Sequence, residues 1–312
     1  MTSGLIARPV RIGTRGSALA VAQTQTVASA LAAKTGAEIE IVTIRTEGDT
    51  STESLASLGG TGVFAGALRE ALIDGRVDVV VHSLKDLPTA AYPGLTIGAV
   101  PKRVDARDAL CARDGLSLDD LPAGARVGTG SPRRAAQLHA RRPDIEVVDI
   151  RGNVDTRLAH VAEGRLDAVV LAAAGLDRLG RLGAVTEFLS LDGWPSAPGQ
   201  GALALEVRAG EEKLVQALNH NPTRTIVEAE RHVLAVLEAG CAAPVGAHGQ
   251  IDDGLLFLDA RVYSPDGSEK LTSSHALYIA DTLHPAVEVA ERVAAELLEN
   301  GAARFAPVGS AE

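Results

Sequence analysis

The chain alternates short apolar runs with longer segments of helical periodicity, and the same order of motifs occurs twice. Residues 11–14 read Arg-Ile-Gly-Thr, and residues 126–129 read Arg-Val-Gly-Thr; a serine follows shortly after each. A Gly-Arg-x-Asp run leads into valines at 75–80 and again at 164–170. Matches this short also arise by chance. Valine-rich runs between helices are nevertheless typical of parallel sheets covered by helices on both faces, so the sequence predicts two similar α/β lobes.

The periodicities place the elements of both lobes. Strands are predicted at 10–13, 38–44, 77–81, 126–129, 146–150 and 167–173. Helices are predicted at 17–34, 62–74, 132–141 and 153–163. The Pro- or Gly-containing segments 101–107 and 196–201 are predicted to cross between the lobes, and 202–207 to return to the first lobe as a strand.

The last part of the chain follows a different pattern. Apolar runs near 246–250, 255–263 and 271–279 predict a small sheet, and 284–299 predicts a helix. We therefore expect a mainly parallel α/β architecture of two lobes followed by a small α+β domain. The expected boundaries are 1–101 with 200–219 for the first lobe, 106–196 for the second, and 221–312 for the C-terminal domain.

Composition excludes several classes of protein. The 312 residues carry 30 Lys+Arg and 40 Asp+Glu, a net charge of −10, which disfavours a general binder of nucleic-acid backbones. Eight aromatic residues are too few for base-stacking platforms. Two cysteines do not make a disulfide framework, the histidines lack metal-ligand spacing, and neither a signal peptide nor an apolar membrane span is visible. We expect a cytoplasmic protein that binds no metal, membrane or nucleic acid.

The basic residues are strongly biased, because 25 are arginine and only five are lysine. A GC-rich coding bias is one explanation. The other is that some arginines clamp carboxylates or phosphates bidentately, which lysine does not do.

Charged residues stand at the end of a buried strand in the run HSLKDLP, residues 82–88. Ligands of open α/β sheets bind at the carboxyl ends of strands, which places Lys85 and Asp86 at a cleft. An ordinary surface Lys–Asp pair is the alternative. The functional interpretation makes Asp86 a carboxylate that moves protons or stabilises a cation.

Two arginines stand in the first turn of the helix predicted at 132–141. Pro132 suits that turn, and Arg133 and Arg134 follow it directly. Cations oppose the dipole at a helix N-terminus, so a solvated helix face explains them poorly. An anion bound beside them would remove the conflict.

Further arginines follow other predicted strands. Each alone reads as a surface charge, but together they occupy equivalent positions in the topology. The set comprises Arg15, Arg133, Arg134, Arg151, Arg157 and Arg178. The shared position predicts a basic cleft for an anionic ligand.

The two cysteines lie in different contexts. Cys111 stands in a short apolar run and reads as core. Cys241 stands in a Gly/Pro loop, AGCAAPVG, where either a buried structural thiol or a nucleophile and attachment point is possible.

The ordered motifs resemble those of the porphobilinogen deaminase (hydroxymethylbilane synthase) family. The shared segments are RIGTRGSALA, GGTGVF, VHSLKDLP, VDARDAL, GTGSPRRAAQL, RGNVDTRL, AGLDRLG, APGQGA and AGCAAPVG. They run from about residue 11 to residue 246 in the family's order. The resemblance implies two lobes like those of periplasmic binding proteins and a third domain that carries a cofactor cysteine.

The resemblance also implies an activity and a cofactor. The family is a transferase of porphyrin and haem biosynthesis that condenses four porphobilinogen molecules into the linear tetrapyrrole hydroxymethylbilane and releases ammonia. Its primer is a dipyrromethane held by a thioether, which the resemblance places on Cys241. We expect a monomer. A bilobal anion-binding protein without catalysis is the alternative; the cysteine loop and the third domain count against it.

Site roles follow by resemblance. Asp86 would be the catalytic group and would also contact the cofactor. Other cofactor positions would be Ser83, Lys85, Thr129, Ser131, Arg133, Arg134, Arg151 and Arg157. Substrate positions would be Arg15, Ser17, Phe64, Arg151, Arg157, Arg178 and Gln200. The loop 47–62 is a candidate lid, although Ser57 and Thr61 replace lysines found in many relatives, which leaves its role open.

Overall fold

The computed structural model describes residues 8–44, 62–239 and 243–305. The strands are β1 (Val10–Arg15), β2 (Ile39–Ile44), β3 (Val79–Ser83), β4 (Leu95–Ala99), β5 (Asp108–Ala112), β6 (Arg126–Gly128), β7 (Glu146–Val148), β8 (Ala168–Ala172), β9 (Glu187–Leu189), β10 (Leu203–Arg208), β11 (Val245–Asp252), β12 (Leu255–Tyr263) and β13 (Lys270–Tyr278). The helices are α1 (Ala18–Thr35), α2 (Gly62–Ile73), α3 (Pro132–Arg141), α4 (Val154–Ala162), α5 (Ala173–Arg178), α6 (Asn221–Val236) and α7 (Pro285–Glu299). The predicted lid, apart from residue 62, lies outside the described residues.

Two five-stranded sheets share one topology. Their strand orders are β2-β1-β3-β10-β4 and β7-β6-β8-β5-β9. In each sheet the first three strands are parallel, and the fourth runs antiparallel to both neighbours. That fourth strand follows a crossing segment: β5 comes after 101–107 and β10 after 196–201. The two predicted lobes with mainly parallel sheets are therefore confirmed, since only the fourth strand of each sheet runs the opposite way.

The sequence echo between the lobes corresponds to a repeated contact. In the first lobe, the backbone N–H of Arg11 donates to Oδ2 of Asp78 at 3.0 Å, and the Asp78 N–H donates back to the Arg11 carbonyl at 2.8 Å. In the second, Arg126 and Asp167 make the same two bonds at 2.6 and 2.9 Å. The Gly-Arg-x-Asp motif thus joins the start of β3 to the start of β1 in the first lobe, and the start of β8 to the start of β6 in the second.

Helix boundaries follow local chemistry. Helix α3 begins where predicted because the Ser131 side chain caps it and Pro132 occupies its first turn. Helix α1 is capped by Ser17 and ends at Gly36, whose φ of 70° is left-handed. The edge strands β4 and β9 were not predicted. β9 has three residues and β4 five, so each gives only a weak periodic signal.

The C-terminal domain is a three-stranded antiparallel sheet, β11-β12-β13, packed against α6 and α7. Its core is apolar and continuous. The β12–β13 turn rests on the second lobe: a Cβ at Gly267 would stand 2.5 Å from the Ala136 carbonyl oxygen of α3. Glycine is required there both for space and for a φ of 72°.

Candidate anion-binding cleft and active site

The carboxyl ends of the parallel strands in both lobes carry the predicted site residues. Arg15 is the last residue of β1, and Ser83 is the last residue of β3. The residues after β6, β7 and β8 include Thr129, Arg151 and the whole of α5. Strand ends of open α/β sheets are the usual location of a ligand site.

A cavity of about 100 Å³ opens at this edge of the first lobe. Its lining includes Arg15, Ser17, Gln23, Ser83 and Asp86. Nε2 of Gln23 donates to Oγ of Ser83 at 2.9 Å, which ties α1 to the end of β3. The structure therefore brings together four of the predicted site residues of the first lobe.

Lys85 and Asp86 lie on a short 3-10 turn, Leu84–Asp86, directly after β3. The Asp86 side chain is exposed, whereas Lys85 is half-buried and its Nζ donates to Oε1 of Gln200 at 3.2 Å. Burial, together with the neighbouring guanidinium of Arg134, lowers the pKa of Lys85 to about 8 against the opposing effect of Asp86. A further carboxylate beside this lysine would favour its protonated form.

In the second lobe, one carboxylate holds both arginines of the first turn of α3. Nη2 of Arg133 donates to Asp108 at 2.9 Å, and Nε and Nη2 of Arg134 donate to its other oxygen at 3.0 and 2.6 Å. Nε1 of Trp194 adds a bond at 2.9 Å. Burial alone would raise the pKa of Asp108, but the two guanidiniums hold it well below its ordinary value. An anion does lie beside these arginines, and the chain itself supplies it.

Gln200 joins the two lobes through its side-chain amide. Its Nε2 donates to Asp108 and to the Ala106 carbonyl, both at 2.8 Å. Its Oε1 accepts from Lys85 of the first lobe at 3.2 Å and from Arg134 of the second at 3.4 Å. Gln200, a substrate position by resemblance, is therefore fully buried, with contacts on both sides of the crossing.

The remaining arginines are less enclosed. Nη2 of Arg151 pairs with Asp149 at 3.4 Å, Nε of Arg157 donates to the Gly152 carbonyl at 2.9 Å, and Nη2 of Arg178 donates to the Gly201 carbonyl at 2.9 Å. Burial, followed by the neighbouring guanidiniums of Arg134 and Arg151, lowers the pKa of Arg157. Mutual repulsion of this kind marks a region where cations lack enough counter-charge.

Other predicted positions have structural contacts of their own. Oγ of Ser131 accepts from the Arg134 N–H at 3.5 Å, and Oγ1 of Thr129 accepts from the Ser131 N–H at 3.2 Å. Phe64 lies in the first turn of α2. Cys241 lies outside the described residues.

Asp108 and Trp194 are functional candidates that the sequence interpretation did not single out. Asp108 is the first residue of the apolar strand DALCA, and it is fully buried. A lone acid inside an apolar run is a signal that could have identified it, because a buried charge requires a partner.

The arrangement has an excess of buried positive charge. The buried Arg133 and Arg134 and the half-buried Lys85 face a single interior carboxylate, that of Asp108, and Nε of Arg133 is buried without a hydrogen-bond partner among the described residues. Within those same ranges no group of acids, histidines or cysteines could hold a metal ion, and no helix is long and apolar enough to span a membrane. The cleft is suited to a ligand with several carboxylates.

Fold and site together define a bilobal α/β protein with cationic side chains at the strand ends of both lobes. A family model described as "Porphobilinogen deaminase, dipyromethane cofactor binding domain" matches residues 10–216, and one described as "Porphobilinogen deaminase, C-terminal domain" matches residues 225–299. The chain belongs to the porphobilinogen deaminase family.

Individual relatives agree with this assignment. A porphobilinogen deaminase of Leifsonia xyli subsp. xyli is 64% identical, covering 96% of this chain and 94% of the relative. One of Thermobifida fusca is 51% identical, covering 94% of each. Among solved structures, a periplasmic substrate-binding protein of an ABC transporter from Coxiella burnetii aligns with a TM-score of 0.42 and 16% identity, over 67% of this chain and 91% of that one.

Proposed function

We propose that this chain is a transferase that condenses four porphobilinogen molecules head-to-tail into hydroxymethylbilane, with release of ammonia, in tetrapyrrole biosynthesis. The observation that carries the proposal is the juxtaposition of an exposed carboxylate, Asp86, with buried cations that exceed their carboxylate partners. A growing chain of pyrroles with acetate and propionate groups matches the cations, and its reaction requires a group such as Asp86.

The residues fit a covalent dipyrromethane primer. The pKa values of Lys85 and Arg157 are lowered, and the charge of a carboxylated ligand would favour their protonated forms. Arg134 contacts Gln200 beside them, and the buried Nε of Arg133 lacks a partner within the described ranges. Ser83, Thr129, Ser131 and Arg151 would contribute further contacts nearby. When bound, the primer supplies the pyrrole carbon from which the chain is extended.

The attachment point is proposed to be Cys241. The other cysteine, Cys111, is an unsuitable nucleophile: it is 3% exposed inside β5, and burial raises the pKa of its thiol to about 11. In the sequence, Cys241 stands between Gly240 and Pro244, and this stretch suits a covalent attachment better than an apolar strand does.

Asp86 would act on the incoming substrate. Loss of ammonia from porphobilinogen and attack by the pyrrole carbon each place positive charge on a pyrrole nitrogen. A carboxylate at the cleft lowers the energy of that charge and accepts the proton lost from the pyrrole carbon that has formed the new bond, which restores the neutral aromatic ring. The cleft-edge cations, including Arg15 and Arg178, would hold substrate carboxylates and thereby orient the reacting carbon.

We also propose the domain division 1–101 with 200–219, 106–196 and 221–312. The membership of the three sheets supports it. A monomeric, cytoplasmic protein is proposed with it, and the free thiol of Cys111 is compatible with a reducing compartment.

The proposal is tested by substituting the acid–base group. Asp86→Ala is expected to fold and retain the primer but to lose kcat for porphobilinogen by about 100-fold or more, the usual contribution of general acid–base catalysis. Asp74→Ala, an exposed acid of the first lobe that pairs only weakly with Arg76 at 3.6 Å, is the matched control and should retain full activity. Near-normal rates in Asp86→Ala would show that another group moves the proton.

A further inference from the structure

The turn that carries Lys85 and Asp86 is bound on another side by the C-terminal domain. Helix α6 crosses behind it, and one arginine of that helix reaches three main-chain carbonyls of the turn. Nη1 of Arg231 donates to the Leu84 oxygen at 2.9 Å and to the Leu87 oxygen at 2.7 Å. Nη2 donates to the Pro88 oxygen at 2.7 Å. A single side chain from outside the lobe therefore satisfies three carbonyls of the run HSLKDLP.

An apolar contact accompanies these bonds. Val227, one helical turn before Arg231, is 1% exposed and belongs to the same apolar cluster as Leu84 and Leu87. The two leucine side chains pack inward on that cluster, while Lys85 bonds to Gln200 and Asp86 lines the cleft. Helix α6 thus contacts both the side chains and the backbone of the turn.

The turn depends on such outside contacts because it is too short to hold itself. Within it, the Leu87 N–H donates to the Leu84 carbonyl at 3.2 Å, and the Leu84 N–H donates to the Ala202 carbonyl at 3.1 Å. A 3-10 segment of three residues leaves its last carbonyls without partners inside the segment. A guanidinium supplies several divergent donors with a delocalised charge, which an ammonium cannot match.

We propose that Arg231 is a positioning residue that fixes the backbone of residues 84–88 and thereby the placement of Lys85 and Asp86 at the cleft. The inference rests on the proposed function, since its main readout is turnover of porphobilinogen. The C-terminal domain then has a second role besides carrying Cys241: it sets the geometry of the acid–base group in the first lobe.

The test compares three variants of the full-length, primer-loaded chain. Arg231→Met is expected to lower kcat by roughly 10- to 100-fold while KM changes little, because misplacing a reacting group by about 1 Å costs up to about 100-fold in rate. Arg231→Lys keeps the charge but has only one nitrogen, so its kcat should fall between Arg231→Met and wild type. Arg224→Met is the matched control: Arg224 also lies on α6 and donates to a first-lobe carbonyl, that of Ile97, at 3.1 Å, but it does not touch the turn.

Hydrogen exchange separates positioning from general destabilisation. In Arg231→Met, amide exchange in residues 84–87 is expected to rise roughly tenfold, because opening of the turn becomes local and frequent. Exchange in the strands of the same lobe should be unchanged. The control variant should show neither effect. If Arg231→Met does not fold, Arg231→Lys still gives both readouts.

The outcomes are distinguishable from failure of the proposed function. If wild type has no turnover and no primer by mass, the proposed function is wrong, and unchanged hydrogen exchange of the turn in Arg231→Met would then overturn the positioning role. If wild type is active and Arg231→Met matches it in kcat, or if both methionine variants lose activity equally, then Arg231 has no positioning role.

Discussion

The equivalent strands β5 and β10 each carry a buried acid, but the two acids lie at different distances from the end of the neighbouring parallel strand. Strand β5 brings Asp108 opposite Ala172 at the end of β8, and β10 brings Glu206 opposite Val80, three residues inside the end of β3. The residue of β10 that corresponds to Asp108 is Leu203, which pairs with Ser83. The same architectural position is therefore ionic at the cleft in one lobe and apolar in the other.

The partners of the two acids also differ. Glu206 accepts from Nη2 of Arg69 at 2.8 Å and pairs with Nε2 of His82 at 3.1 Å, and Arg69 stacks on the Tyr92 ring at 4.7 Å. Of these two partners, only the guanidinium of Arg69 carries a permanent charge, so one fixed cation balances the Glu206 carboxylate. Asp108 instead faces two guanidiniums that are permanently charged.

The difference between the two acids suggests separate tasks for the two lobes, one in stability and one in ligand binding. In the first lobe a balanced pair stiffens the middle of the sheet and leaves the strand end to Lys85 and Asp86. In the second lobe an unbalanced cluster stands at the strand end itself, where an added carboxylate would complete it. Under the proposed function, the first lobe would provide the reacting group, and the second would provide the charge that holds a polyanion.

The largest predicted effect is on stability. Asp108→Asn should lower the free energy of unfolding by about 3–5 kcal/mol, because it leaves two buried guanidiniums without a counter-charge. Glu206→Gln should cost less, about 1–3 kcal/mol, since only one guanidinium, that of Arg69, loses its ionic partner. Denaturant unfolding of both variants in a Cys241→Ser background measures the difference without a bound primer. Equal losses would contradict the asymmetry of charge between the lobes.

A smaller effect concerns pH. In the folded chain Lys85 loses its proton near pH 8, against an ordinary value of 10.5, so between these values the unfolded state binds more protons than the folded state. Stability contributed by this group must therefore rise with pH across that window and be flat below it. Compared with Lys85→Met, again in the Cys241→Ser background, the parent chain should gain Tm between pH 8 and 10. If Tm changed with pH in the same way in the parent chain and in Lys85→Met, the pKa of Lys85 would not be lowered.

Much of the fold could be predicted because its signals are local. Helix α3 begins where predicted since Ser131 and Pro132 are strong start signals, and the repeated Gly-Arg-x-Asp motif marked a real contact in both lobes. The topological clustering of the arginines could be predicted for the same reason, as each stands at or after the end of a strand.

Long-range partners could not be read from the same patterns. The sequence indicated an anion beside Arg133 and Arg134 but not that Asp108, 25 residues earlier, supplies one. Arg231 binds main-chain carbonyls, which leave no trace in the side-chain pattern. Such contacts depend on how the three domains pack against one another, and the periodicity of apolar residues carries no information about that packing.

Intact-mass measurement of the denatured protein tests the central claim most directly. Wild type should exceed the mass of its sequence by two pyrrole units, Cys241→Ser should match its own sequence mass, and Cys111→Ser should retain the excess as the matched control. An unmodified wild-type chain that also fails to consume porphobilinogen would contradict the account and leave an anion-binding protein without catalysis.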